Sequence, residues 1–147
     1  MMFTIREMKI EDYEQMIALW QGIDGLVLRE ADSKENIEAY LLRNSGLSYV
    51  CEDNDSVVGT VLCGHDGRRG FIYHVAVNPD YRKQKIGHKL VEISLNKLKE
   101  QGIDKCHIFV LEDNRIGNQF WTARGWEKRS GFYVYTKSTG QKAAIGK

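Results

Sequence analysis

The residues in this chain whose types and spacing can do chemistry lie between Phe71 and Leu90. A mostly apolar run, Phe71 to Val77, stops at Asn78-Pro79-Asp80, a sequence that reads as a turn. A basic loop follows with Arg82, Lys83, Gln84, Lys85, Ile86, Gly87 and His88, and an amphipathic segment starts directly from it. Strand, basic loop and helix N-terminus together offer unpaired backbone N–H groups and the positive end of the helix dipole to an anion. The expected ligand is therefore phosphorylated. Neither the G-x-x-x-x-G-K-[ST] string of a P-loop nor the G-x-G-x-x-G string of a dinucleotide fold is present, so a nucleotide held in either of those ways is excluded.

The chain that must position this loop has 147 residues and 16.9 kDa, enough for one domain with a proper core. Its 42% apolar and 28% charged content are ordinary for a water-soluble globular protein. Net charge is +1, so no bulk field recruits nucleic acid or a membrane surface, and the basic character of the loop is local. No apolar run reaches the roughly 20 residues of a membrane span, and the N-terminus carries no signal-peptide pattern. Cys51, Cys63 and Cys106 are odd in number, have no C-x-x-C spacing and fall in expected strands, which implies buried, reduced thiols and a cytoplasmic location. The four histidines are scattered and none pairs with a cysteine at ligand spacing, so no metal site is expected.

Periodicity sets out the remaining elements. Thr4 to Glu7 reads as a short strand. Tyr13, Met16, Ile17 and Trp20 fall on one helical face, with Glu11, Asp12 and Glu14 near its start. Ser33 caps a second helix containing Ile37, Tyr40 and Leu41 that ends before Gly46. Ser48–Glu52, Val57–Cys63 and Gly70–Val77 are successive strands and so antiparallel. Ile86, Leu90, Val91, Leu95 and Leu98 make a long amphipathic helix closed by Gly102. Cys106–Leu111 must then lie parallel to Gly70–Val77, because a helix intervenes. Asp113 caps a last helix with Ile116, Phe120 and Ala123 inside, and Trp126 and Phe132–Thr136 finish the domain as two strands. Residues 138–147 are expected to form a polar, disordered tail beyond a domain of residues 1–137.

Arg82-Lys83-Gln84-Lys85-Ile86-Gly87, with Val75-Ala76-Val77-Asn78-Pro79 and Tyr81 before it, resembles the pyrophosphate-binding signature R/Q-x-x-G-x-G/A of the GNAT N-acetyltransferase superfamily. Asn114, Phe120-Trp121 and Gly125-Trp126 resemble that family's asparagine, aromatic pair and glycine–aromatic element. The order β-α-α-β-β-β-α-β-α-β-β over roughly residues 3–137 is also that of the family, and implies an α/β domain with a mixed sheet. One position departs. Lys85 stands where the family has its first glycine, which normally lets the backbone approach the ligand.

The resemblance implies acetyl-CoA as cosubstrate and an amine acceptor. The cofactor would lie along Val75, Ala76 and Val77, over Arg82, Lys83, Gln84, Lys85, Ile86, Gly87 and His88, and against Asn114 and Trp121. Direct transfer needs a base for the ammonium, donors for the oxyanion and an acid for the leaving thiolate. The family's usual acid is a tyrosine where this chain has Trp121, whose indole has no dissociable proton near neutral pH, so Trp121 is read as a wall of the acyl pocket. Its recurring carboxylates fall on Tyr73 and Phe109. Tyr73 and His107 are the catalytic candidates: Tyr73 shares a face with Val75 and Val77, and His107 titrates in the useful range. Strand alternation turns His74 away from Tyr73 and gives it a structural role.

Asp24, Glu30, Asp32 and Glu35 can hold a cationic acceptor. By resemblance the acceptor is a protein N-terminus or a small amine such as a polyamine, amino acid or aminosugar. The missing carboxylate and tyrosine keep a non-catalytic acyl-CoA-binding module as the alternative. Monomer and homodimer both stay open.

Overall fold

A computed structural model describes residues 3–140. The chain forms β1 (Thr4–Glu7), α1 (Tyr13–Gln21), α2 (Lys34–Arg43), β2 (Tyr49–Asp53), β3 (Ser56–His65), β4 (Gly70–Val77), α3 (Ile86–Glu100), β5 (Cys106–Ile108) and α4 (Arg115–Ala123), with short 3₁₀ turns at Ile10–Asp12, Glu30–Asp32 and Pro79–Tyr81. The five strands lie in sequence order in one sheet. The first four pair antiparallel, and β4 pairs β5 in parallel, as the intervening helix requires.

Two apolar clusters hold helices to the sheet. In one, Met16 and Trp20 of α1 and Ile37 of α2 pack with Val50, Val57, Leu62 and Ala76. In the other, Ile86, Leu90, Val91 and Leu98 of α3 pack with Tyr49, Cys51, Val58, Val61, Cys63 and Ile72. β3 is buried from Val57 to Gly64, which fits its central place between these layers. Gly59 lets α3 come close: a Cβ there would lie 2.9 Å from Ile86 Cγ2 and 3.1 Å from Leu90 Cδ1. The thiols are free, and burial pushes Cys63 and Cys106 up to about 12, so both are neutral and unreactive at physiological pH.

Three sequence expectations change. β5 is three residues long and does not run on to Leu111. Asn114, not Asp113, caps α4, and on that helix Ile116 is 70% exposed and Ala123 is also exposed, while Trp121 is the buried residue. The two closing strands are not formed among the described residues. Phe132, Tyr133, Val134 and Tyr135 are exposed and have no ladder partner, so their strand-like alternation finds no sheet edge to join. Most of the expected tail, residues 141–147, lies outside the described residues. No described helix is long and apolar enough to cross a membrane, and no group of three His, Cys, Asp or Glu side chains gathers as a metal site among the described residues.

Candidate active site

The β4–β5 ladder runs from Gly70 opposite Cys106 to Ile72 opposite Ile108 and stops there. β4 continues to Val77 while the other chain leaves the sheet. A cavity of about 860 Å³ lies where they part, lined by Tyr73, His74, Val75 and Val77 on β4 and by Ile108–Leu111 on the departing chain. Residues 22–27, the start of α3 and much of α4 complete the lining.

A bulge in β4 marks the same place. Thr60 pairs with Ala76 and Leu62 with Tyr73, so two residues of β4, His74 and Val75, oppose the single Val61. His74 takes a left-handed backbone, φ 49°. Bulges re-aim side chains and end pairing. Here Tyr73, His74 and Val75 all belong to the cavity wall, and the extra residue breaks the alternation between Tyr73 and Ala76. His74 was expected to face away; the bulge overturns that. Its Nε2 lies 2.7 Å from Asp32 Oδ1, and its ring packs on Trp20 at 4.7 Å between centroids. The His74 carbonyl accepts from Thr60 Oγ1 (2.9 Å), which in turn accepts from Trp20 Nε1 (2.8 Å).

The basic loop enters α3 through two left-handed residues, Lys83 (φ 66°) and Lys85 (φ 65°). Lys85 is the N-cap of α3 but supplies no side-chain cap. The amides of Ile86, Gly87 and His88 belong to the first turn, which has no intrahelical acceptors to offer, and they make no hydrogen bond to another described residue. Ile86, Gly87 and His88 line the cavity with Arg82, Lys83 and Lys85. Unpaired amides, a helix dipole and four cationic or titratable side chains in one wall fit a pyrophosphate.

Asn114 caps α4 by accepting from the Gly117 amide at 3.0 Å, and it lines the cavity. Gly25, at φ 82°, sits so close that a Cβ there would lie 2.7 Å from Asn114 Nδ2, which ties the 22–27 loop to the start of α4. Trp121 is buried, lines the cavity and meets Trp126 edge-to-face at 4.7 Å. Tyr73 lines it too, and burial raises its phenol above the ordinary value, so it is poorly suited to act as a base.

Not every expected site residue is here. Ala76 is buried in the α1–α2 cluster, and neither it nor Gln84 lines the cavity. His107 is also outside the lining; it pairs with Phe71 across the ladder, the rings 5.5 Å apart. Of the four acidic residues, Asp24 lines the cavity, Asp32 is engaged by His74, and Glu30 and Glu35 are exposed at the surface. Sequence reading missed the apolar contribution of Ile23, Leu26 and Val27, whose only signal was an apolar residue spacing in an otherwise irregular segment.

The mixed sheet, whose two parallel strands part beside the start of α3, with helices packed on it, has the GNAT fold. The sequence model of the acetyltransferase (GNAT) family matches residues 8–126, and the chain belongs to that family, with acetyl-CoA as its cosubstrate. An acetyltransferase of Pectobacterium atrosepticum is 37% identical over 110 residues, which is 75% of this chain and 77% of that protein. Among solved structures, the PaiA N-acetyltransferase of Thermoplasma acidophilum in complex with coenzyme A superposes with a TM-score of 0.77 at 21% identity, covering 90% of this chain and 94% of the other. AAC(6')-Iy in complex with a bisubstrate analogue superposes at 0.72 and 18% identity, covering 94% and 99%. At those identities the two structures are alike in fold.

Proposed function

We propose that this protein transfers the acetyl group of acetyl-CoA directly to a primary amine, a protein N-terminus or a small-molecule amine. The observation that carries this reading is the cavity at the parting of β4 and β5, which joins the free amides at the start of α3 to the unpaired edge of β4. The pyrophosphate lies on the amides of Ile86, Gly87 and His88, flanked by Arg82, Lys83 and Lys85. The pantetheine arm runs along Val75 and Val77, with Asn114 beside it. Backbone amides of β4 beyond the ladder donate to the thioester oxygen, where negative charge develops in the tetrahedral intermediate. Tyr73, Phe109, Leu111 and Trp121 give the acyl group a largely apolar wall, since all four line the cavity.

The test is release of free thiol from acetyl-CoA in the presence of an alanine-initiated peptide, spermidine, glutamate and glucosamine. Amine-dependent release with at least one is expected. Coenzyme A binding without such release would make the protein an acyl-CoA-binding module instead.

A further inference from the structure

We propose that His74 and Asp32 form the dyad that removes the proton from the acceptor ammonium, with His74 as the catalytic base and Asp32 as the positioning residue. This role rests on the N-acetyl-transfer reading above.

His74 lies in the wall of the cavity at the parting of the strands, next to Tyr73 and Val75. Nε2 is 2.7 Å from the Asp32 carboxylate, and the two side chains are only 14% and 12% exposed. A carboxylate can only accept, so the proton between them belongs to Nε2. In the neutral ring Nδ1 then carries the lone pair, and it makes no hydrogen bond to another described residue. A base needs an unengaged lone pair in reach of the substrate and a partner that stabilises its protonated form. Asp32 supplies the partner, Nδ1 the unengaged lone pair, and the place of His74 in the cavity wall sets it beside the acyl site of the proposed reaction.

The fold holds the pair from several sides. Thr60 fixes the left-handed backbone at His74, Trp20 stacks on its ring, and the Tyr13 hydroxyl donates to the Asp32 carbonyl at 2.6 Å. The titratable groups near the ring are Asp32 and Tyr13, with Tyr73 and Asp24 in the same lining. The basic side chains of the cavity, Arg82, Lys83, Lys85 and Arg124, come from the loop that enters α3 and from the end of α4, with His88 in the first turn of α3.

In the step itself, the R–NH₃⁺ nitrogen gives one proton to Nδ1, and the imidazolium is held by Asp32. The freed nitrogen lone pair forms the C–N bond at the thioester carbon. Collapse of the tetrahedral intermediate breaks the C–S bond, the thiolate leaves unassisted and then takes up the second nitrogen proton, and His74 returns its proton to water. The sum is R–NH₃⁺ plus acetyl-CoA giving the acetamide, coenzyme A thiol and one H⁺.

The experiment compares wild type, His74→Gln and Asp32→Asn in the same four-amine thiol-release assay across pH, with coenzyme A affinity read by calorimetry. Expected for His74→Gln is a fall in kcat of about 10²- to 10⁴-fold near neutral pH, recovering at alkaline pH where the amine is already neutral. The ascending imidazole limb of kcat/KM should be lost, and coenzyme A affinity should stay within about twofold of wild type, well under the tenfold of a lost contact. Asp32→Asn should shift that limb. Turnover with unchanged kcat and limb in His74→Gln overturns the dyad and leaves N-acetyl transfer standing. No turnover of any probe by wild type overturns N-acetyl transfer, and this role with it. Should His74→Gln not fold, ¹⁵N NMR of the wild-type ring, at a pH where it is neutral, decides: a proton on Nε2 is expected, and a neutral ring with its proton on Nδ1 overturns the proposal.

Discussion

Lys83 and Lys85 stand in left-handed backbone on either side of Gln84, at φ 66° and 65°. For an L-residue that conformation costs roughly 1–2 kcal/mol, and glycine escapes the cost. The curl they make leads the chain into α3 with its first amides toward the cavity. The glycine of the family signature is thus a backbone requirement that this chain meets with a strained lysine. Lys85→Gly should stabilise the fold by up to about 1 kcal/mol after the added freedom of the unfolded chain is subtracted. It should also change coenzyme A affinity by under about 1 kcal/mol, as for an exposed charge. Urea unfolding and calorimetry check the two. A clear loss of affinity would make the Lys85 side chain a phosphate partner.

Gly59 sets the spacing of α3 on the sheet, which in turn places the start of the helix. Gly59→Ala puts a methyl 2.9 Å from Ile86 Cγ2 in the core. Overpacking of this kind costs about 1–3 kcal/mol. Thermal unfolding should show the loss, and an unchanged midpoint would mean that α3 can shift outward freely.

Arg6 grips Asp12 through two hydrogen bonds of 2.9 and 2.8 Å, and the Lys9 amide adds a third at 3.0 Å. Burial works against the Asp12 carboxylate, but the Arg6 and Lys9 hydrogen bonds outweigh it and hold its pKa below the ordinary 3.8. A depressed carboxylate pKa gives stability that is present above 3.8 and is lost as pH falls through the lower folded value. Asp12→Ala should cost about 2–3 kcal/mol at neutral pH, below the roughly 3–5 kcal/mol of a fully buried pair because Arg6 is partly exposed. Its unfolding free energy should also fall less steeply below pH 3.8 than that of wild type. Parallel slopes would show that other carboxylates govern the acid limb.

Trp121 offers the departing thiolate no proton. A coenzyme A thiol titrates near the cysteine value of about 8.5, so unassisted departure is tolerable. Trp121→Tyr should raise kcat, by up to the roughly 10²-fold that general acid catalysis supplies, provided the pocket stays closed. Tyr73→Phe is the control. If Tyr73→Phe abolishes turnover while Trp121→Tyr does nothing, Tyr73 is the acid.

The α1 stripe, the α3 stripe and the basic loop could be read from the chain because each is a local pattern: a helical period or a short run with fixed spacing. His74 could not. Its orientation comes from a register slip against Thr60 and Leu62 on β3, and its partner Asp32 is 42 residues away. Alternation assigns faces only where pairing is regular. The face of α4 was misread for a related reason. Ile116 lies at the cavity rim and not over the core, so an apolar side chain is exposed there. The strand pattern of Phe132–Thr136 records β-propensity, which becomes a strand only when an edge accepts it.

Coenzyme A affinity of a Gly87 variant tests the central claim, that the start of α3 holds the pyrophosphate. A Cβ at Gly87 would make only ordinary contacts, 3.5 Å to Phe120 and 3.6 Å to Val77, so the fold tolerates one. Gly87→Val, checked for folding by thermal unfolding because its two methyls reach beyond that Cβ, should bind coenzyme A at least about tenfold more weakly by calorimetry, roughly 1.4 kcal/mol. Unchanged affinity in a folded Gly87→Val would take the pyrophosphate off this loop.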